Sequence, residues 1–338
     1  MSPSSPSQSP TIGSHWRAVP GLFLAAIVAG FSLLIKVLKV PVASTLSPLM
    51  WAVLIGMLLR NTIGRPESAR PGLALCLRAP LRAGIVLLGL QITLGDIFGI
   101  GVVGLLILAT ALAATFLFTR ALGERLGVSS GLAALIAAGT SVCGASAIVA
   151  ANTVVGEDDE SVAYALATVT LFGTIAMFLY PILGSLLPLG DAAYGIWIGG
   201  SVHEVAQVVA AGFAHGDPSG EAATVAKLAR VLMLAPLVLL MGQAARRNDR
   251  HAKVPVPWFV FGFLAMVLID STGLVEASWR TAANLTTQAL LALALAAVGL
   301  ETDLRKLIAQ GWRPLALGAL ATVFIGAGTL AAALLWQR

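Results

Sequence analysis

The sequence predicts an all-α polytopic membrane protein of about eleven transmembrane helices. Three observations lead there. Only 11% of the 338 residues are Asp, Glu, Lys or Arg, against about 25% in soluble globular chains. Hydrophobic residues make up 58%, with a mean hydropathy of +0.90. Apolar stretches of membrane-crossing length recur from one end of the chain to the other. At roughly 150 residues per domain, length alone would suggest two soluble domains. The composition leaves too little polar surface to cover them. The two cysteines, Cys76 and Cys143, form no CxxC pair and no metal-ligand spacing, which excludes a disulfide scaffold. No cofactor is expected. The sequence pI of about 9.6 reflects basic residues placed between apolar runs, as in membrane topology, and does not predict a nucleic-acid partner.

The elements follow in order. The first fifteen residues, MSPSSPSQSPTIGSH, are rich in Ser and Pro and read as disordered. Residues 1–17 are therefore expected to be an N-terminal tail, and 18–338 a single transmembrane domain. A basic n-region with a cleavage site is absent from this tail, so no signal peptide is predicted. A helix crossing a core about 30 Å thick needs about 20 apolar residues. Clear uncharged runs cover 18–35, 40–59, 97–119, 126–156, 161–190, 281–300 and 314–337. Shorter or charge-interrupted runs cover 73–90, 192–214, 222–242 and 255–271.

The positive-inside rule orients these spans. With the N-terminus inside, 15 of the 21 basic residues fall on the inner side, including Arg60, Arg65, Arg120, Arg125, Arg246, Arg247 and Arg313. The loop Glu157–Glu160 is then expected outside, and the C-terminus outside as well.

Two internal similarities point to repeats, as in transporters built from inverted halves. LLGLQITLGDIFGIGVVGLL (87–106) matches AAVGLETDLRKLIAQGWRPL (296–315) through Gly89/Gly299, Leu90/Leu300, Gln91/Glu301 and Leu94/Leu304. The segment 138–160 matches 199–221 through Gly139/Gly199, Ser141/Ser201 and Val142/Val202. The first pair would be antiparallel and the second parallel by the span count, and one inverted repeat cannot produce both.

The candidate site lies in the second pair. In the fifth span, Gly139, Thr140, Ser141, Cys143, Gly144, Ser146 and Asn152 interrupt an otherwise apolar run. Glycine costs about 1 kcal/mol in a helix interior, so this composition invites a break. Freed backbone groups at membrane depth are tolerated only when buried in protein or lining a wet cavity. An exposed half-helix N-terminus there would bind an anion. Close packing of small residues is the competing reading. In the seventh span, Gly199, Gly200 and Ser201 precede His203, Glu204 and Gln207. A carboxylate at the bilayer centre costs at least about 2.5–3.5 kcal/mol on insertion scales, so it faces a cavity, a partner or a proton path. A structural His–Glu pair is the competing reading. Lys227 and Arg230 in the eighth span are expected either to snorkel or to neutralise an anion or Glu204. Gln91, Thr93, Glu301, Thr302, Asp303 and Asp270 read as interfacial.

Enzyme readings fare badly. HEVAQ, from His203 to Gln207, lacks the second histidine of the zinc-binding HExxH pattern. No third group orients a Ser141 or Ser146 nucleophile with His203. GxxxxGK[ST] does not occur, so this chain is not expected to be an ATP-driven pump or an enzyme.

With these strings in place, the chain resembles the YeiH-type family of bacterial inner-membrane proteins, to which sulfate export has been ascribed. The similarity runs through LLGLQITLGDIFGIG, TSVCGASAI and GGSVHEVAQVVAAG, and covers about residues 20–335. It implies a secondary transporter of a small, sulfate-like anion. The family is similar, more distantly, to bile-acid/sodium symporters and sodium/proton antiporters. Those folds have a panel domain and a core domain with two crossing, discontinuous helices. By that likeness the fifth span is one broken helix and the seventh or the tenth is the other.

The resulting expectation is a substrate site of Gly139, Thr140, Ser141, Cys143, Gly144, Ser146, Gly200, Ser201, His203 and Gln207. Glu204, with His203, would carry the coupling proton. The expected partners are the anion, a coupling H⁺ or Na⁺ and membrane lipid, with a homodimer as the assembly to test. The alternative function is a cation/proton antiporter in which carboxylates bind the cation directly.

Overall fold

A computed structural model describes residues 16–37, 47–92, 94–244, 258–303 and 312–337. Among the described residues the regular elements are all helical. That is the outcome lipid imposes, since a helix satisfies its own backbone where no water is present. The helices are α1 (Val19–Val37), α2 (Pro48–Thr62), α3 (Arg70–Cys76), α4 (Ala79–Leu88), α5 (Leu94–Arg125), α6 (Ser130–Ser141), α7 (Ala145–Val155) and α8 (Asp159–Gly184). They continue as α9 (Asp191–Ser201), α10 (Val205–Phe213), α11 (Asp217–Leu232), α12 (Leu234–Ala244), α13 (Trp258–Ser271), α14 (Ala277–Glu301) and α15 (Trp312–Trp336). Among the described residues, six stretches are long and apolar enough to cross a membrane: Glu67–Gln91, Gly101–Arg125, Glu160–Gly184, Asp217–Gln243, Ala277–Glu301 and Trp312–Trp336. The protein is an all-α polytopic membrane protein.

Some expectations fall outside the description. Of the expected tail, residues 1–15 lie outside the described residues, whereas Trp16–Ala18 form a 3-10 turn that leads into α1. The first internal match runs through 304–311, also outside the described residues. The crossing part of α5 starts at Gly101, whose φ of +61° is open to glycine and rare for other residues.

The chain divides into two compact units. One lies within Met1–Gly84 and Thr286–Asp303, the other within Ile85–Leu285 and Leu304–Arg338. In the first, helices cross at bare backbone. A Cβ added at Gly56 would fall 2.6 Å from the Ala296 carbonyl, and one at Gly21 would fall 2.6 Å from the Leu73 nitrogen. Small residues allow such close approach. Arg60 pairs with Asp303 at 2.8 Å, and Arg65 pairs with Glu301. The residues around 301–303, read as interfacial, are thus ion-paired there.

The second unit corrects the span count. The runs 126–156 and 192–214 are not crossings. Each is a helical hairpin that turns back on itself. In the first hairpin, α6–α7, the side chain of Glu157 at the end packs onto Gly131 at the beginning, and Gly139 meets Ile148 across the turn. In the second, α9–α10, the Tyr194 hydroxyl donates to Ala211 O at 3.0 Å, and the Tyr194 ring stacks on His215 at 4.2 Å. The arms have 12 and 11 residues in the first hairpin and 11 and 9 in the second. At 1.5 Å per residue these are about 14–18 Å long, half a bilayer core.

The two hairpins come from opposite ends of α8. The first opens directly into α8, whose start at Asp159 follows Glu157. The second has its open end at the finish of α8, where Gly184 packs against Tyr194. Their tips meet near the middle of α8, where the Thr170 hydroxyl donates to Glu204 Oε1 at 3.0 Å. The following helices run oppositely as well. α11 starts beside the second hairpin's open end, with Ser219 Oγ donating to Asp191 Oδ1 at 2.6 Å. Its continuation α12 finishes beside the first, with Gly242 against Val154. The match of 138–160 with 199–221 is therefore an antiparallel pair. The parallel relation expected from the span count came from treating both hairpins as crossings. The same fold-back places the Glu157–Glu160 loop at the end that holds Arg120, whose guanidinium donates to Ser130 Oγ at 3.4 Å. That loop was expected at the opposite end.

Asp158 caps α8, its Oδ1 accepting from Ser161 N at 2.8 Å. This bond holds its carboxyl below the usual carboxylate range. A depressed native pKa contributes stability above the unfolded value of about 3.9 and loses it as pH falls through the native value. Asp158→Ala should therefore lower Tm at pH 7. The gap from wild type should close as the pH of the melt is taken below about 4.

Candidate functional site

The site is assembled from half-helix ends. A helix leaves carbonyls unpaired at its C-terminus and amides at its N-terminus, with partial negative and positive charge respectively. Two broken hairpins bring two ends of each sign to one place. The breaks have local causes. Gly144, the residue before α7, sits at φ +67°, and a Cβ there would come within 2.6 Å of Glu204 Cγ. Any side chain at 144 would be strained in its backbone and would press on the opposite tip. In the second hairpin, Val202 and Glu204 are extended, at ψ 142° and 149°.

The carbonyl ends are held by two buried cations on α11. Lys227 Nζ donates to Val142 O at 2.7 Å and to Val202 O at 2.8 Å, one carbonyl from each tip. Arg230 Nη1 donates to Gly199 O at 3.2 Å. Its Nη2 donates to Thr140 O at 3.2 Å and also to Ser141 O. Both side chains have 0% exposure. They stand one turn apart on one helix face. The sequence readings were snorkelling, or neutralising an anion or Glu204. The side chains do not snorkel but are buried on backbone carbonyls, with Lys227 also in electrostatic range of Glu204. The apolar run that carries them begins at Asp217, not at 222. Lys227 is thus about 15 Å along the helix, near its middle. A later assumed start hid that depth.

The amide ends face a carboxylate. Glu204 caps α10 in a reciprocal box: its side chain accepts from Gln207 N, and Gln207 Oε1 accepts from Glu204 N at 3.1 Å. Such boxes satisfy two orphan amides at once. Across the tip, the same side chain packs on Gly144 at the head of α7. Gln207 Nε2 donates to Thr170 O at 3.3 Å and to Thr174 Oγ1 at 3.2 Å, which anchors the box on α8. His203 Nε2 lies 2.8 Å from Thr322 Oγ1 of α15. The Thr322 hydroxyl donates to Gly318 O, so it accepts from His203. Glu204 and Lys227 lie within electrostatic range of each other.

The expected site residues separate into two groups. Ser141 Oγ donates back to Ala137 O at 2.6 Å, and Ser201 Oγ donates to Trp197 O at 2.5 Å. Both hydroxyls are buried and committed within their helices. Gly139 packs on Ile148 and Val169, and Gly200 on Leu108 and Thr329. Thr140 contributes its carbonyl to Arg230. These five serve the hairpins' packing and capping, not a ligand-facing surface. Their small size was legible, but that they face inward was not. Gln207 and His203 are fully buried behind Glu204. The accessible part of the tips includes Ser146 and Glu204, with Gly144 buried between them against the Glu204 side chain. Ser146 is exposed and Glu204 half-buried, and Cys143 Sγ lies 2.9 Å from Ser146 Oγ. Thr170, Thr174 and Thr322 were missed, because isolated threonines in apolar helices carry no distinguishing pattern. The second discontinuous element is the seventh run. The tenth, α14, is continuous. Among the described residues, no cluster of His, Cys, Asp or Glu could hold a metal.

The family profile described as "Conserved hypothetical protein 698" matches residues 20–318. This chain belongs to the YeiH/UPF0324 family of membrane proteins. A UPF0324 membrane protein of Pseudomonas aeruginosa is 38% identical over 332 residues, covering 93% of this chain and 94% of the relative. The UPF0324 inner membrane protein YeiH of Escherichia coli K12 is 36% identical over 327 residues, covering 93% and 94%. A UPF0324 membrane protein of Yersinia pestis is 35% identical over 329 residues, covering 92% and 91%. The YeiH-type match spans both hairpins and both units, so the whole tip assembly falls within the region shared with the family.

Proposed function

We propose that this protein is a secondary transporter of a small, sulfate- or sulfite-like anion, working by alternating access in a bacterial inner membrane. One observation carries the reading. Two hairpins from opposite ends of α8 meet tip to tip, and the groups with accessible surface at their junction include an ionisable side chain, Glu204. Opposed re-entrant elements give each side of a membrane its own short path to a shared point. Polar and ionisable groups at such depth mark substrate or proton pathways. Ser146, the opening amides of α7 and the half-buried rim of Glu204 are the groups available to an anion. Glu204 would carry the coupling proton, and protonation would free the amide ends for the anion. A cleft of about 850 Å³ beside the first hairpin, lined among others by Phe116, Ala134, Val154 and Leu237, gives that hairpin room to move. The N-terminus would be cytoplasmic and the C-terminus periplasmic by the positive-inside rule.

Reconstituted protein is expected to exchange labelled sulfate or sulfite across vesicles. Purified protein should also gain thermal stability from the transported anion, in proportion to RT ln(1 + [L]/Kd). Neither flux nor stabilisation with any anion of a broad panel would sink the reading. One observation favours a cation/proton antiporter instead: the accessible charge at the junction is negative. A cation-dependent pH change across vesicles, with no anion requirement, would establish that alternative.

A further inference from the structure

A transporter built on broken helices has a recurring need at its half-helix C-termini. Unwound carbonyls and the negative helix ends there coordinate a dissociable cation. Here those carbonyls are already taken. Five of them, from Thr140, Ser141, Val142, Gly199 and Val202, converge on Lys227 and Arg230, and both cations are fully buried. Lys227 alone bridges the two tips, one carbonyl from each. A buried ammonium between two carbonyls occupies the position and supplies the charge that a bound alkali ion would. The guanidinium forks across three carbonyls in a way a spherical ion cannot.

We propose that Lys227 and Arg230 are resident counter-cations of the hairpin tips, replacing a coupling sodium, so that the protein binds no alkali ion at the carbonyl ends. Removing the ammonium of Lys227 then converts its place into an alkali-ion site. The idea deepens the transporter reading, since it assigns the coupling role away from Na⁺ at the site proposed above.

The test uses the purified full-length protein, melted in choline, sodium, lithium and potassium chloride at one ionic strength. Wild type is expected to give the same Tm in all four salts. Lys227→Ala should melt lower in choline and recover saturably with sodium or lithium, by a shift on the order of 2–4 °C at high salt occupancy. Lys227→Arg, which keeps a fixed cation, should stay indifferent to the salt. A purely structural lysine would lower Tm without creating this ion response. A saturable, sodium-specific rise in the wild-type Tm overturns the proposal whether or not any variant folds, as does a folded Lys227→Ala that ignores alkali ions. Flux separates the two readings. Wild-type anion flux equal in sodium and choline supports the resident cations, and sodium-dependent flux overturns them while leaving transport intact. Absence of flux in both salts counts against the transporter reading alone, because the melts are scored independently.

Discussion

Arg230→Met is expected to be among the most destabilising single substitutions in the described part of the chain. The guanidinium donates to Gly199 O, Thr140 O and Ser141 O with no exposure to solvent. A hydrogen bond to a charged group contributes about 1.5–3 kcal/mol, and a buried acceptor left unpaired costs about 1–3 kcal/mol. Three carbonyls lose their donor together, at the negative ends of α6 and α9. Removing one partner of a buried charged arrangement costs about 3–5 kcal/mol in comparable cases, and a loss of that order is expected here. Methionine fills much of the volume, so the effect reads the lost donors and not a cavity. Arg230→Lys keeps the charge but not the fork, and should recover only part of the loss. Thermal unfolding of the three proteins in one detergent measures this. A Tm for Arg230→Met within a degree of wild type would show that the carbonyls find other donors.

Glu204→Gln is expected to separate stability from transport. The amide oxygen can still accept from Gln207 N, so the α10 cap is weakened and not lost, at a cost below the ~1 kcal/mol typical of losing a cap. The ionisable group at the junction disappears entirely. Around it stand Thr170 on α8, Gln207 on α10, Lys227 on α11 and Gly144 on the first hairpin, and the neighbouring His203 is turned toward Thr322 on α15. No second carboxylate at the tips can take its place among the described residues. Anion flux into vesicles should be abolished or should lose its dependence on pH, with Tm changed by only a few degrees. Flux that persists with the wild-type pH dependence would remove Glu204 from coupling.

Much of this was legible in the sequence, at the level where composition and local chemistry decide. The shortage of charge required helices in lipid. The Gly/Ser interruption at 139–146 and the string His203–Gln207 marked the two tips. The fold-back was not legible. A hairpin with two half-length arms has the same total length and hydropathy as one crossing helix. What distinguishes them is tertiary: Glu157 on Gly131, and Tyr194 on Ala211. The likeness to folds with discontinuous helices pointed to breaks in the fifth run and in the seventh or tenth, and the fifth and seventh runs are the broken ones. Lys227 and Arg230 were read by their distance from an assumed helix start. Their partners are carbonyls up to 90 residues away in sequence, and backbone acceptors leave no trace in a sequence pattern.

The capping of both hairpins by α11 also constrains how the protein is made. Synthesis runs from the N-terminus, so the first hairpin, and then the second, emerges before residue 217 has been added. Until Lys227 and Arg230 arrive, five carbonyls at the two turns lack their donors, and hydrocarbon tolerates few such groups. A chain arrested before α11 would lack the donors for all five carbonyls at once. The two turns are thus completed by one later helix and not by their own sequence.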